Sequence, residues 1–211
     1  MGSYYYLAAQ LPNLVYGQSA PMTSAYFREL AKSLLDAEDG ALLDVVSLDP
    51  ELPGKNAAGD GRPSYAENAS ASGSEFIDHW REWERTLRLN VARYRAQRTK
   101  RDTAAPVEPP IYPADAVAAA VKAAVAVESP LEAEMVLDKA RWEAIGYLQG
   151  LDNFSRNVAY AYLLKLLILE RRASFKTEEG FKEYKTLYAA ILSSAQSSVL
   201  GPVGPSVGEP K

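Results

Sequence analysis

Apolar residues recur at three- and four-residue steps along most patterned segments of this chain, the spacing that gives a helix one buried face. "TSAYFRELAKSLL" places Tyr26, Leu30 and Leu34 four residues apart behind a Thr23 or Ser24 cap. "DAEDGALLDVVSL" follows as a short second helix with Asp36 as its N-cap. From Glu75 onward Phe76, Trp80, Trp83, Leu87, Val91 and Tyr94 recur at steps of four, three, four, four and three. That stripe predicts a core-facing helix of about seven turns.

Later segments repeat the pattern. "DAVAAAVKAAVAVE" has almost no polar face and predicts a helix buried among others. At Ser129–Glu132, "SPLE" combines an N-cap, a proline at the first helical position and a glutamate at the third. It launches "LEAEMVLDKARWEAIGYLQ", which Gly150 ends in a left-handed conformation. Ser155 caps "RNVAYAYLLKLLILERRASF", and Thr177, with Glu178 and Glu179 in the first turn, caps a last helix. "YYYLAAQLPNLV" has the aromatic density of a strand but no pairing partner, so it predicts an extended or short helical arm lying on the core.

These elements make an all-α, multi-helix, bundle-like protein with one long basic amphipathic helix and an extended N-terminal arm. Proline, glycine and small-residue stretches divide it. Residues 1–101 form an N-terminal helical half with a flexible loop at 53–74, 102–113 a Pro-rich linker, 114–197 a C-terminal helical half and 198–211 a disordered tail.

Composition removes several kinds of chemistry. With no cysteine among 211 residues, disulfides, thiolate metal sites and thiol nucleophiles are excluded. The one histidine, His79, has no serine-centred motif beside it and reads as a partly exposed helix residue. "GDGRPS" and "LPGKN" lack the spacing of a phosphate-binding loop. The carboxylate pairs Glu82/Glu84, Glu132/Glu134 and Glu178/Glu179 stand one or two residues apart, do not share a helix face, and read as solvated surface. No catalytic residue, cofactor or metal ligand is expected, and no small-molecule substrate. The N-terminus has neither a basic region nor a long apolar core, so no signal peptide is expected. "VAYAYLLKLLIL", the longest apolar run, is broken by Lys165 and falls short of the roughly 20 residues of a membrane span.

Charge is distributed unevenly. The chain carries a formal −4, yet His79–Arg101 holds eight Arg and Lys side chains against two Glu. Pairing of Glu84 with Arg81 and Arg88 at helical spacing accounts for the first half of that run, as an exposed, weakly stabilising set. After Glu84 the next acidic residue in sequence is Asp102. The surplus at Arg93, Arg95, Arg98, Lys100 and Arg101 marks a docking surface for an acidic protein partner, with Arg88, Arg93, Arg95, Arg98 and Arg101 as its contact residues. Nucleic acid is disfavoured, because Trp80, Trp83 and Tyr94 are committed to the core stripe and the chain is acidic, with a pI near 5.2.

Three blocks, "YYYLAAQLPNL", "WREWERTLRLNVARYRA" and "LDKARWEAIGYLQGLDNFSRNVAYAYLLKLLILERRASF", together resemble an uncharacterised bacterial family. That family is encoded beside V-type ATPase subunits in spirochaetes, chlamydiae and relatives and is often labelled C-subunit-like. The likeness spans roughly residues 3–50, 76–97 and 130–185, and its most specific features are "RWE", a following phenylalanine and an "ER" helix. It implies a non-catalytic structural component of a rotary ATPase, similar in role to the C-subunit (named d in eukaryotes). Such a component links the central rotor shaft to the membrane ring and supports ATP-coupled ion transport. The implied partners are the shaft and ring subunits, and the implied place is cytoplasmic, peripheral to the inner membrane within a complex. The chain is shorter than an ordinary C-subunit, which has three similar helical lobes, so either a lobe is absent or the likeness is one of position and role. The other class open to such a chain is a free-standing helical adaptor or nucleic-acid-associated protein using the basic helix.

Overall fold

The computed structural model describes residues 2–49, 72–98, 114–175, 184–188 and 191. Among them every regular element is helical and no strand occurs. The chain divides into two compact units, Met1–Arg172 and Ala173–Lys211. The helices in order are α1 Gly2–Gln10, α2 Ser24–Leu34, α3 Ala37–Val45, α4 Glu75–Arg98, α5 Ala114–Ala126, α6 Pro130–Gln149 and α7 Arg156–Ser174. In the smaller unit, residues 184–188 are helical, and Tyr184 and Tyr188 stack with ring centres 6.0 Å apart, as a four-residue step allows. The expected loop at 53–74, apart from 72–74, lies outside the described residues. So do the linker, the cap at Thr177 and the tail.

Helix starts are set by side-chain oxygens. Thr23 accepts the Tyr26 backbone N–H at 3.2 Å. Ser129 accepts that of Glu132 at 3.4 Å, directly before Pro130. Asp36 holds the N-cap position of α3 without a side-chain capping bond. The carbonyl of Ser155 accepts from Val158 while its hydroxyl donates back to the Asp152 carbonyl, so it is not a side-chain cap. Gly150 ends α6 at φ 74°, ψ −163°. The positive φ was expected, but the ψ is outside the left-handed helical well, in a region essentially reserved for glycine. Across the unit, Arg28 of α2 donates to the carbonyls of Leu43 and, at 3.1 Å, Val46, and so caps the end of α3.

Helix α7 occupies the middle. Ala159 to Leu164, Leu166, Ile168 and Leu169 are all buried, which is more than one stripe. A helix that is apolar on all sides belongs in a core or a membrane, and here other helices surround it. Phe27 of α2 meets Tyr162 with ring centres 4.9 Å apart, and Phe76 of α4 meets Tyr160 at 6.3 Å. Lys165, which interrupts the run, lies over the Trp142 ring of α6 at 5.5 Å, and burial lowers its pKa. Among the described residues no helix is long and apolar enough to cross a membrane. Elsewhere α4 packs on α5 and α6, α5 on α6, and α2 on both α1 and α3.

Three expectations change and an open one is decided. The buried face of α2 is Phe27, Ala31 and then Leu35; Tyr26 is exposed, because the ring at 27 takes the core position against Tyr162. Tyr94 is 40% exposed, since the stripe of α4 leaves the core after Leu87. Of the extended and short helical conformations open to the N-terminal arm, the structure takes the helix α1. A helix satisfies its own backbone where no partner strand exists, and Leu7 and the Tyr4–Asp39 hydrogen bond anchor it. Finally α5 is not buried all round: Val117, Val121 and Ala124 form one buried face, and most of the remaining positions are open.

Trp80 and Trp83 are both buried and stack with centres 5.7 Å apart, but only Trp80 uses its indole N–H, donating to the Ser47 carbonyl at 3.0 Å. Trp80→Phe is therefore expected to destabilise more than Trp83→Phe, by about 1 kcal/mol, as the difference between their urea midpoints at equal slope. A second expectation concerns alkali. Burial raises the Tyr162 hydroxyl from 10.0 to about 12, and that hydroxyl donates to the Pro12 carbonyl at 3.0 Å. The unfolded chain ionises first, so this contribution is intact below pH 10 and is lost as the pH climbs toward 12. The melting temperature should fall across that window, and less steeply in Tyr162→Phe.

Candidate functional site

Helices α4, α6 and α7 carry a line of alternating charges that runs into the larger unit from the exposed Asp49. Glu84 of α4 has no solvent exposure. Arg141 of α6 grips it with two parallel bonds, Nε to Oε2 at 2.9 Å and Nη2 to Oε1 at 3.0 Å. This fork-to-fork geometry is the strong form of an arginine–carboxylate pair. From the other side Arg88, one turn along α4, donates Nε to Glu84 Oε1 at 2.7 Å.

The line continues both ways. Arg88 Nη2 reaches Asp49 and, at 3.1 Å, the Leu48 carbonyl. Arg141 Nη1 donates to Asp138 Oδ1 at 3.0 Å, and Asp138 in turn pairs with Arg171 of α7. The order is Asp49, Arg88, Glu84, Arg141, Asp138, Arg171. Three carboxylates and three guanidiniums alternate, so each buried charge has an opposite neighbour, without which burial would cost several kcal/mol per ion.

Protonation follows from that arrangement. Burial works against the charged form of Arg141, yet Glu84 beside it holds the pKa above the ordinary arginine value. Arg88 behaves alike: burial opposes its charge, and hydrogen bonds to Asp49 and Glu84 outweigh burial. Asp49 is held below the ordinary carboxylate value by its hydrogen bond from Arg88, against the effect of burial.

An open pocket of about 600 Å³ lies over this line. Its polar wall is Arg88, Arg95, Arg141, Arg171 and Glu134; its apolar wall is Leu87, Val91, Ala92, Ala96 and Leu137. Glu134 Oε2 stands 3.7 Å from Arg141 Nη1. No group of three or more His, Asp or Glu able to hold a metal occurs among the described residues.

The structure separates the five arginines expected to dock a partner. Arg88 belongs to the internal line and Arg95 to the pocket wall. Arg93 and Arg98 are exposed on α4 and do not line the pocket, and Arg101 lies outside the described residues. Glu84, expected to be solvated, is fully buried. The spacing between neighbouring acids says nothing about a partner 57 residues away on α6. Arg141, Asp138 and Arg171 were not singled out as a site. The available signal was Asp138 and Arg141 three residues apart on a helix with several apolar neighbours.

No family model matches the chain, and no curated protein or solved structure shows a significant match.

Removing one member of the line should be costly. Glu84→Gln leaves two guanidiniums short of a countercharge, for an expected loss of about 3–5 kcal/mol. Arg93→Gln on the exposed face should stay within about 0.5 kcal/mol. Urea unfolding of the two variants beside the parent checks both, and an equal response would show that Glu84 is not the pivot.

Proposed function

We propose that this chain is a non-catalytic helical component of a bacterial V-type rotary ATPase, similar in role to the C-subunit. In this reading it is a link between the central shaft and the membrane ring, cytoplasmic and peripheral to the membrane through its partners. One observation carries the reading. The stretches that bear the resemblance are those that assemble the internal charge line: Glu84 from the central block, Arg141 from "RWE" and Arg171 from "ER". The N-terminal block joins the same body through Tyr4 and through the bond of Tyr162 to Pro12. The quoted blocks, apart from the last residues of the third, fall within the one unit Met1–Arg172.

The basic end of α4 suits this role. Arg93, Arg95 and Arg98 are exposed around less than two turns of helix, a cationic helix end for an acidic subunit surface. A free-standing adaptor is the competing outcome of the test.

The tagged chain, purified from its native host, is expected to bring down shaft or ring subunits and to hydrolyse no ATP by itself. Recovery of no rotary-ATPase subunit would sink the assignment. Arg93→Glu with Arg98→Glu should weaken that recovery at low salt while helicity by circular dichroism is unchanged. The difference should shrink as ionic strength rises and the screening length falls below about 8 Å.

A further inference from the structure

We infer that the pocket between α4, α6 and α7 is a docking site for an acidic segment of a protein partner, one that presents a carboxylate beside a leucine-sized side chain. The inference deepens the docking role proposed above and rests on it. The mixed lining selects such an occupant. Leu87, Val91 and Leu137 offer apolar surface beside the guanidiniums of Arg88, Arg95, Arg141 and Arg171. Arg141 is locked by Glu84 and Asp138 and hardly reorganises. Arg88 commits Nε to Glu84 and Nη2 to Leu48 and Asp49, which leaves Nη1 with no hydrogen bond among the described residues. A preorganised donor of this kind binds a carboxylate without the entropy loss of ordering a free arginine.

Phosphate fits less well. The described lining has no hydroxyl and no glycine amide to cradle three oxygens. Arg95 and Arg171 stand in the last turns of α4 and α7, whose dipoles disfavour a dianion there. Glu134 on the wall would repel a dianion, whereas it can accept a peptide N–H.

The test uses the full chain and a fluorescein-labelled amphipathic peptide of Glu, Leu and Ala, with a Gln-for-Glu counterpart. Anisotropy should show the acidic peptide binding at least about tenfold tighter than its counterpart. Ala92→Glu places a carboxylate on the pocket wall from an exposed helix position, and Arg95→Glu reverses one wall charge; either should weaken binding at least about tenfold. Arg93→Glu, off the pocket, should change it by less than about twofold. Because Ala92→Glu blocks the site sterically, its effect should persist at high salt, unlike that of the surface reversal above. No binding of the acidic peptide would overturn the inference. So would equal binding of the Gln peptide, unaltered binding by both folded pocket variants, or displacement by inorganic phosphate or anionic vesicles. Peptide binding by a chain that brings down no rotary-ATPase subunit would retain the pocket and discard the ATPase assignment. The reverse pattern would discard the pocket alone.

Discussion

Glu84 lies out of reach of water where α4 crosses α6, and its charge is tolerable there only while Arg141 and Arg88 face it. That condition reaches well beyond the pair. Arg88 must hold the segment at Leu48 and Asp49, and Arg141 must be placed by Asp138, which also pairs with Arg171. Four parts of the chain are thereby fixed in one relative position, because an isolated buried charge is far more expensive than a paired one. Apolar packing alone accepts many near-equivalent arrangements; a line of alternating charges tolerates very few.

The apolar half of the fold centres on α7, and it too carries polar pins. Tyr160 and Arg156 converge on Asp39, where Tyr4 also arrives, so α1, α3 and α7 share one acceptor. Glu170 accepts from the backbone and hydroxyl of Ser24 at 2.6 and 2.7 Å, which satisfies the start of α2 from the far end of α7. Arg172 packs on Tyr16 at 4.6 Å and donates to its hydroxyl, and that hydroxyl donates to the Met135 carbonyl. Connections that would otherwise wander over the surface are held by such contacts.

Much of this was legible in sequence where the signal is local. The caps at Thr23 and Ser129, the proline after Ser129, the stripe from Phe76 to Leu87 and the all-helical class follow from spacings of one to four residues. What escaped is decided between distant segments. The face of α2 shifts by one residue because Phe27 finds Tyr162, and Tyr94 is exposed because α4 outruns the core. Glu84 looked solvated because its partner on α6 cannot be read from α4. The site was half visible: an arginine surplus on α4 was apparent, but the division into internal, pocket and surface roles depends on α6 and α7. The "RWE" and "ER" features pointed at the right helices without saying that their arginines share Asp138.

The central position of α7 bears on synthesis. Of the helices from α1 to α7 it is the last to leave the ribosome, yet α2, α3, α4 and α6 all meet it. Phe27 and Phe76 lack the rings they meet in the finished fold until Tyr162 and Tyr160 arrive. Until then those rings are open apolar surface, the condition in which holding chaperones act. Completion of the core of the larger unit is thereby tied to the emergence of one helix.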